Sequence, residues 1–406
     1  MIKVGVDIGN SKISCVVSDL QKNSLPKILS FINYPTSNIN KNAFINFQLI
    51  KDEVRHVITL AAKDSQTEIK SINLNIPVTD SISFFYDSKI EIENELIMDL
   101  HLKKAINQSD FFDNLINYEI LMNYIASYEV DNKKLFGNPV GNFAKILNLN
   151  FYKLMVKKNL INTFKNLFYD LQIHVEQLVP APLSSALAVL NVDDRDLGAI
   201  CIDLGEASTS LVVFEHEKLL FADAVSIGSK NITNDIARGI STTKESAERL
   251  KTLYGSVLSS PSDEHEIIEV PIMSSEPGQF KQINRSTINN IIKPRVEETL
   301  ELVWQKLKQY GLHKRKIKNL VLTGGGSQLE GIADYAQTIF DSNVRLGQPH
   351  GVVGLNKSFS GPQFSQTIGL ILCEVDKYEV NFMKKAQKIK KNTLIGRFSS
   401  WLDQYI

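Results

Sequence analysis

The feature that most constrains this chain is a strand–turn–strand pattern that occurs twice. Residues 6–17 read VDIGNSKISCVV, and residues 202–213 read IDLGEASTSLVV. In each copy an apolar run reaches an Asp, passes a Gly and a short polar stretch, and returns to apolar residues. Asp7 and Asp203 lie 196 positions apart, close to half of the 406 residues. A repeat at this distance predicts two similar halves within one fold.

The composition is that of a globular protein without overall charge. Hydrophobic residues make up 43% of the chain, and 45 basic residues balance 45 acidic ones. Zero net charge provides no general attraction for nucleic acid, so we predict no nucleic-acid partner. A chain of this length indicates two to four domains. The three cysteines lie singly in apolar runs, and no apolar run could span a bilayer, so we expect a cytoplasmic body with buried thiols.

The predicted elements follow the order strand, helix, strand, helix, which indicates an α/β fold. Residues 86–156 are expected to alternate charged helices with short strands. The segment TTKESAERLKTLYG predicts a helix with a capping box, in which Thr242 precedes Glu245 by three positions. Gly255 is the predicted end of that helix. A long amphipathic helix is predicted over roughly 287–310.

Several common catalytic and nucleotide-binding motifs are absent from the sequence. There is no G-x-x-x-x-G-K-[ST], no H-E-x-x-H and no G-x-S-x-G, and GGGSQLEG lacks the spacing of a dinucleotide site. Three glycine-containing turns remain: DIGNSK (7–12), DLGEAS (203–208) and TGGGSQ (323–328). Backbone N–H groups in such turns can hold phosphates, and an Asp at a strand end can hold hydrated Mg²⁺. We therefore predict that the three turns converge on a ligand that carries phosphate.

The three turns occur in the order found in the actin, Hsp70 and sugar-kinase superfamily. Further matching stretches are NPVG, IGSKNITNDIARGI, AERLKTLYG, IIKPRVEE, VLTGGGSQLEGI, TIGLILCE and WLDQY. Over nearly its whole length the chain most resembles the FtsA family of bacterial cell-division actin homologues. The resemblance implies an α/β, actin-like fold with ribonuclease H-like duplicated halves around a nucleotide cleft. It also implies an FtsA-type inserted subdomain and a C-terminal amphipathic helix.

The resemblance further implies a division into subdomains, a basic linker and a terminal helix. The implied boundaries are 1–85 plus 157–196 plus about 345–376 for the first core subdomain, 86–156 for the inserted subdomain, 197–229 plus 297–344 for the second core subdomain, 230–296 for a smaller peptide-binding subdomain, 377–392 for the linker, and 393–406 for the membrane-targeting helix.

The resemblance implies ATP and Mg²⁺ as cofactors and places residues around them. The implied nucleotide-binding residues are Asp7, Gly9, Asn10, Ser11, Lys12, Asp203, Gly205, Glu248, Lys251, Gly324, Gly325, Gly326 and Ser327. Asp7 and Asp203 would hold Mg²⁺ through water. Glu248 and Lys251 would meet the ribose and base; because they are three positions apart on one helix face, a surface ion pair is the alternative.

The second turn departs from the family pattern at Glu206 and Ala207, where relatives usually carry glycines. A residue other than glycine that is forced to positive φ costs about 1–2 kcal/mol. A carboxylate about 4 Å from a phosphate charge would cost about 4 kcal/mol at an effective dielectric constant near 20, unless the side chain turns away. No nucleophile or paired catalytic carboxylate is evident. We therefore expect ATP binding with at most weak ATPase activity and assign no catalytic residue.

The C-terminal segment TLIGRFSSWLDQYI predicts a membrane-binding amphipathic helix. Its apolar stripe consists of Leu394, Ile395, Phe398, Trp401, Leu402 and Tyr405. Between 384 and 406 there are six Lys or Arg residues and one Asp, a local charge of +5 that favours an anionic membrane surface. The alternative is a helix docked on the protein's own core. Filament formation would multiply the avidity of one reversible anchor.

In the resembled family, the subdomain at 230–296 binds the C-terminal peptide of FtsZ, the tubulin-like division protein. Arg295 could pair with a peptide carboxylate, or with Glu298 three positions along its helix. The leading hypothesis is a division protein that binds ATP, self-associates into actin-like filaments and tethers FtsZ polymers to the cytoplasmic face of the inner membrane at the division site. Later division proteins would be further partners. The alternatives are a scaffold like the type IV pilus protein PilM and, in another class, a small-molecule kinase.

Overall fold

The computed structural model describes residues 1–373 apart from 23, 38, 41, 42, 45, 109–114, 274–278 and 316. These residues form two compact units. The large unit comprises Met1–Ile82 and Val156–Cys373, and the small unit is Ser83–Met155. The predicted linker and terminal helix at 377–406 lie outside the described residues. Of the helices that are described, none is both long and apolar enough to cross a bilayer.

Strands and helices alternate along the large unit much as the sequence predicts. Before the small unit they are β1 (Ile2–Ile8), β2 (Lys12–Asp19), β3 (Lys27–Pro35), β4 (Ile39–Asn40), β5 (Ala43–Phe44), α1 (Phe47–Ser65) and β6 (Ser71–Ile76). The small unit is built from β7 (Ile82–Leu96), α2 (Asp99–Gln108), β8 (Tyr118–Val130), β9 (Lys133–Leu135) and β10 (Phe143–Lys157). The large unit continues with α3 (Lys158–Asp170), β11 (His174–Pro180), α4 (Ala181–Val189), α5 (Val192–Leu197), β12 (Ala199–Leu204), β13 (Thr209–Glu215), β14 (Lys218–Val225), α6 (Ser229–Gly239), α7 (Lys244–Tyr254), β15 (Ile267–Pro271), β16 (Phe280–Asn284), α8 (Arg285–Gln309), β17 (Asn319–Thr323), α9 (Ile332–Phe340), β18 (Asn343–Leu346) and α10 (Ser365–Leu372).

Two five-stranded sheets of the large unit repeat one topology. The first has the order β11-β6-β1-β2-β3, and the second has the order β18-β17-β12-β13-β14. In both sheets an antiparallel hairpin is followed on one side by two parallel strands. Asp7 pairs with Ser14 in the first hairpin, and Asp203 pairs with Ser210 in the second, so the register is repeated as well. The predicted duplication is confirmed.

Helix α10 packs closely against α4 and the first sheet. The close approach depends on Gly369, because an ideal Cβ at this position would lie 1.6 Å from the carbonyl oxygen of Ser184 on α4. Asn73 on β6 donates a hydrogen bond to the carbonyl oxygen of Leu370 at 2.9 Å. This packing fixes the first turn of α10, which carries side chains of the candidate site.

The small unit is a four-stranded sheet, in the order β7-β10-β8-β9, with helix α2. The expectation of short strands is wrong here, since β7 and β10 have 15 residues each and β8 has 13. In β7, Ser88, Ile90 and Ile92 are buried whereas Lys89 and Glu91 are exposed. The charged residues therefore lie on one face of a continuous strand and do not interrupt it.

Helix α7 begins one residue later than the capping-box pattern predicts. Its N-cap is Thr243, whose hydroxyl accepts a hydrogen bond from the Ser246 N–H at 3.2 Å. Thr242 is buried instead, and its hydroxyl donates to the carbonyl oxygen of Pro271 at 2.7 Å. Because this tertiary contact occupies the Thr242 hydroxyl, the neighbouring threonine caps the helix. The C-cap is Gly255, as predicted.

Candidate nucleotide site

One cavity in the large unit brings the three predicted turns together. It has a volume of 1520 Å³, and its wall includes residues of all three turns. Every predicted nucleotide-binding residue except Ser327 lines it. Ser327 is buried, and its hydroxyl donates to the Gly324 carbonyl oxygen at 2.8 Å, so it stabilises the third turn from within.

The first and second turns share one backbone geometry. The Gly9 N–H donates to the Lys12 carbonyl oxygen at 2.9 Å, and the Gly205 N–H donates to the Ser208 carbonyl oxygen at 3.0 Å. Within the described part of the chain, the next three N–H groups of the second turn, at 206–208, have no acceptor. Successive N–H groups of this kind form a concave anion site. The second turn is therefore suited to receive a phosphate.

The third turn requires glycine at its first position. Gly324 has a φ of +83°, and an ideal Cβ there would lie 2.1 Å from Asp203 Oδ1 and 2.7 Å from the Leu204 carbonyl oxygen. Its N–H donates to the Pro362 carbonyl oxygen at 3.2 Å, which ties the turn to the segment before α10. The following N–H groups, at 325–326, have no acceptor among the residues that the structure describes, and both residues line the cavity.

A chain of buried hydrogen bonds joins the two aspartates of the first and second turns. Asn75 Nδ2 donates to Asp7 Oδ1 at 2.7 Å and to Gln366 Oε1 at 2.8 Å. Gln366 Nε2 in turn donates to Asp203 Oδ2 at 2.9 Å. Burial is the main cause that raises the pKa of Asp7 and of Asp203 above the ordinary value. A bound cation would stabilise both carboxylates in the charged form.

Sequence reasoning missed the side chains that hold these aspartates. Besides Asn75 and Gln366, the Ser185 hydroxyl donates to Asp203 and the Thr367 hydroxyl donates to Asp7, the latter at 3.2 Å. The available signal was a polar residue inside an apolar run, as in INLNIPV, LSSALAVL and QTIGLIL. Buried polar groups are normally hydrogen-bonded. A polar residue within an apolar run therefore indicates that a hydrogen-bond partner exists, but the sequence does not show which residue it is.

Lys12 crosses from the first turn to the segment before α10. Its Nζ donates to the Gln363 carbonyl oxygen at 2.6 Å and lies 3.8 Å from the centre of the Phe364 ring. Burial lowers the pKa of Lys12 to about 8, although the nearby Asp7 and Asp203 act in the opposite direction. A phosphate in the cavity would favour the protonated amine.

For Glu248 and Lys251 on α7 the sequence left two alternatives, contact with a nucleotide or an ion pair with each other, and the structure is compatible with both. Lys251 Nζ lies 2.7 Å from Glu248 Oε2, so the ion pair is present, and both residues also line the cavity. Lys251 donates in addition to Thr233 Oγ1 at 3.0 Å. The lysine side chain is only 11% exposed, which places this end of the pair within the cavity wall.

The departure at Glu206 and Ala207 does not strain the second turn. Neither residue has a positive φ, so the expected backbone penalty does not arise. The carbonyl oxygens of Gly205 and Glu206 accept hydrogen bonds from the N–H groups of Ser229 and Lys230, both at 2.9 Å. The Glu206 side chain turns towards Lys230, with Oε1 at 3.5 Å from Nζ.

Arg295 on α8 does not line the cavity and already contacts two acidic side chains. Its Nε donates to Asp235 Oδ2 at 2.5 Å, and its Nη1 donates to Glu298. The hydrogen bond to Asp235 is the main cause that raises the pKa of Arg295. Its Nη2 has no hydrogen-bond partner among the described residues and could donate to a further carboxylate.

A metal ion between Asp7 and Asp203 would need further ligands from water or a bound molecule. Nowhere in the described ranges does the protein place three or more His, Cys, Asp or Glu side chains to hold a metal. Asp7 and Asp203 supply two carboxylates beside unpaired N–H groups that suit phosphate. Mg²⁺ is typically held by one or two carboxylates, water and substrate phosphates, so the residues present fit Mg²⁺ together with a nucleotide.

Comparison with known proteins identifies the family. A relative from Rhizobium meliloti (strain 1021), described as cell division protein FtsA, is 31% identical over 378 residues, which are 90% of this chain and 86% of that protein. The chain belongs to the FtsA family. The family model described as cell division protein FtsA matches residues 200–369. An FtsA protein from Escherichia coli (strain K12) is 26% identical over 421 aligned positions, which cover 98% of this chain and 97% of that protein.

Solved structures show that this FtsA-family chain has the actin-like fold. The PilM–PilN type IV pilus biogenesis complex matches with a TM-score of 0.60 at 15% identity, over 91% of this chain and 97% of that chain. MreB5 of Spiroplasma citri bound to ADP matches with a TM-score of 0.57 at 13% identity, over 97% and 99% of the two chains. At such identities the likeness concerns the fold alone. The actin-like α/β fold predicted from the sequence is confirmed.

Proposed function

We propose that this FtsA-family protein acts in bacterial cell division as a nucleotide-binding membrane tether. In this role it binds ATP with Mg²⁺, self-associates into actin-like filaments and links FtsZ polymers to the cytoplasmic face of the inner membrane at the division site. The observation that supports the proposal best is the meeting of three glycine-containing turns on one cavity in a chain of this family. Later division proteins would be further partners.

The cavity offers the groups that ATP requires. The unpaired N–H groups at 206–208 and 325–326 would donate to phosphate oxygens, and Lys12 would add a positive charge. Asp7 and Asp203 would hold Mg²⁺ through water, and the metal would neutralise phosphate charge when bound. The remaining contacts would come from Gly9, Asn10, Ser11, Gly205, Glu248, Lys251, Gly324 and, through the shape of the third turn, Ser327. The proposal is one of binding, with no assigned catalytic residue.

The affinity for ATP is expected to fall as the pH rises from about 7 to about 9. Lys12, with a pKa of about 8, loses its proton in this range, whereas a bound phosphate would retain it. The complex then holds more protons than the free protein, so affinity must decrease with pH, by up to about tenfold. Fluorescence titration with a labelled ATP analogue at both pH values measures the change.

The control for this pH effect is Lys12→Arg, because arginine stays protonated throughout the range. The variant should show a flat pH profile whatever its absolute affinity. An equal decrease in the variant and in the unmodified protein would contradict the role given to Lys12.

Arg295→Glu is expected to weaken binding of the FtsZ C-terminal peptide by about 10- to 100-fold. In the proposed complex Nη2, which has no other partner among the described residues, donates to a peptide carboxylate, and a hydrogen bond to a charged group contributes about 1.5–3 kcal/mol. Fluorescence anisotropy of a labelled peptide against the full chain gives the affinity.

Arg315→Glu is a matched control for Arg295→Glu. Arg315 also pairs with a carboxylate, that of Glu215, and its side chain is 27% exposed against 25% for Arg295. Both substitutions reverse the charge of an ion-paired arginine of the large unit, two pairs at Arg295 and one at Arg315, but only the change at Arg295 should weaken the peptide complex. Equal affinities for the two variants would count against Arg295 as a peptide contact.

Two other functions are compatible with an actin-like fold. A PilM-like scaffold would need neither the apolar stripe nor the basic run predicted at the C-terminus. A small-molecule kinase would need a catalytic base in the cleft, and the sequence indicated none. Membership of the FtsA family and the predicted terminal helix favour the division role over both alternatives.

A further inference from the structure

Three buried oxygen atoms in the wall of the nucleotide cavity lack a hydrogen-bond partner. They are Glu206 Oε2, Ser210 Oγ and Asn234 Oδ1. Within the described part of the chain only Ser30, Asn148 and Gln177 have comparable side-chain atoms, and none of these three residues lines the cavity. Unpaired buried polar atoms are uncommon in folded proteins, so their presence in one cavity indicates a missing ligand.

The negative charge of the Glu206 carboxylate is only partly balanced by neighbouring cations and hydrogen-bond donors. Its Oε1 lies 3.5 Å from Lys230 Nζ, which is longer than a good charge-assisted hydrogen bond. The lysine side chain is 40% exposed, so solvent screens much of its charge. Oε2 is buried without a donor. The carboxylate therefore still has the capacity to bind a cation or a donor.

The other two unpaired oxygens belong to elements that adjoin Glu206. Asn234 follows Lys230 by four positions on α6, so both side chains lie on one face of that helix. Ser210 pairs with Asp203 in the second hairpin and is only 6% exposed. Glu206 thus lies in the second turn, Asn234 lies on the same face of α6 as the Lys230 that Glu206 faces, and Ser210 lies on β13 directly opposite Asp203.

The chemistry of the three atoms favours a cation over an anion. A carboxylate oxygen and an amide oxygen can only accept, and a serine hydroxyl can accept while it donates elsewhere. Mg²⁺ and similar hard cations take oxygen ligands of this kind and complete their shells with water and phosphate. A phosphate held by the N–H groups at 206–208 would meet the Glu206 carboxylate, and a cation between them would convert repulsion into a bridge.

We propose that Glu206, with Asn234 and Ser210, forms a second cation site that joins the protein to the phosphates of the bound nucleotide. It is a second cation position beside that of the water-mediated Mg²⁺ at Asp7 and Asp203, since Ser210 pairs with Asp203, and the inference rests on the proposed binding of ATP. The proposal assigns a function to Glu206, which stands where the resembled family usually carries glycine: its carboxylate would be a metal ligand.

Counting Mn²⁺ ions on the full chain by electron paramagnetic resonance tests the proposal. With one ATP bound, the unmodified protein should hold two Mn²⁺ ions per chain, and Glu206→Gln should hold one. Ser210→Ala, which removes only an oxygen, should weaken the second ion at least tenfold. Glu245→Gln is the matched control, because Glu245 lines the same cavity but is not one of the three residues, and it should keep both ions. A single Mn²⁺ ion in the unmodified protein, or two in Glu206→Gln, would overturn the site.

Direct titration with ATP separates this proposal from the proposed function. If the unmodified protein binds no ATP, the nucleotide-binding function fails, and Mn²⁺ titration of the nucleotide-free chain then decides the cation site by itself. Loss of a Mn²⁺ ion in Glu206→Gln but not in Glu245→Gln would support the site. Identical Mn²⁺ binding by both variants and the unmodified protein would reject it.

Discussion

Gly324→Ala is expected to destabilise the large unit and to abolish ATP binding. Alanine at a φ of +83° costs about 1–2 kcal/mol. Its Cβ would also lie 2.1 Å from Asp203 Oδ1, so the aspartate must move away from Ser185 and Gln366. Such overpacking typically adds about 1–3 kcal/mol. The displaced turn could no longer present its N–H groups, so ATP titration should show no saturable binding.

Gly325→Ala is the matched control for Gly324→Ala, because it also replaces a glycine of the third turn but at a position that does not need a left-handed backbone. This glycine does not have a positive φ, and the nearest atom to an ideal Cβ is Gln363 Cβ at 3.7 Å, an ordinary contact distance. The free energy of unfolding, measured with urea and circular dichroism, should change by no more than about 0.5 kcal/mol. If the two alanine variants had equal stability and equal ATP affinity, the left-handed conformation of Gly324 would not be a requirement of the site.

The duplicated hairpins could be predicted because their signal is local. An apolar run, an Asp and a Gly turn lie within about ten residues, and the sheet register follows from the same pattern. The sequence of the third turn likewise shows its three glycines directly. What the pattern does not contain is which glycine must have positive φ: that requirement arises at Gly324 from the approach of Asp203, which lies on a different strand.

The hydrogen-bond chain beneath the turns could not be predicted for a different reason. Asn75 and Gln366 are 291 positions apart, and each appears in the sequence only as a polar residue within or beside an apolar run. Their partnership exists because α10 packs against the first sheet, which is a tertiary fact. The backbone of the second turn depends on a tertiary contact as well. The N–H groups at the start of α6 hold the carbonyl oxygens of Gly205 and Glu206, and Glu206 does not have the positive φ that the sequence pattern predicts.

Removal of residues 381–406 is expected to abolish binding to anionic vesicles. A chain ending at Val380 loses the whole apolar stripe and the six basic residues predicted to contact lipid. Each cation near an anionic surface contributes about 1 kcal/mol, and the aromatic side chains add apolar burial. Co-sedimentation with vesicles that contain an anionic lipid should recover the full chain in the pellet and leave the shortened chain in the supernatant.

Two substitutions within the terminal segment distinguish an amphipathic helix from simple charge attraction. Trp401 belongs to the predicted apolar stripe, whereas Ser400 occupies the polar side. Trp401→Asp and Ser400→Asp change the net charge equally, so a purely electrostatic tail would respond to both alike. If the segment binds as an amphipathic helix, the Trp401→Asp variant should no longer bind the vesicles, whereas the Ser400→Asp variant should largely remain bound.

The measurement that tests the central proposal most directly is flotation of FtsZ polymers with anionic vesicles in the presence of this protein and ATP. FtsZ is expected to float with the vesicles only when the full chain is present, and not with the chain ending at Val380. The Arg295→Glu variant is expected to float with the vesicles while FtsZ stays at the bottom of the gradient. FtsZ that stays at the bottom of the gradient while the full chain floats would contradict the tether.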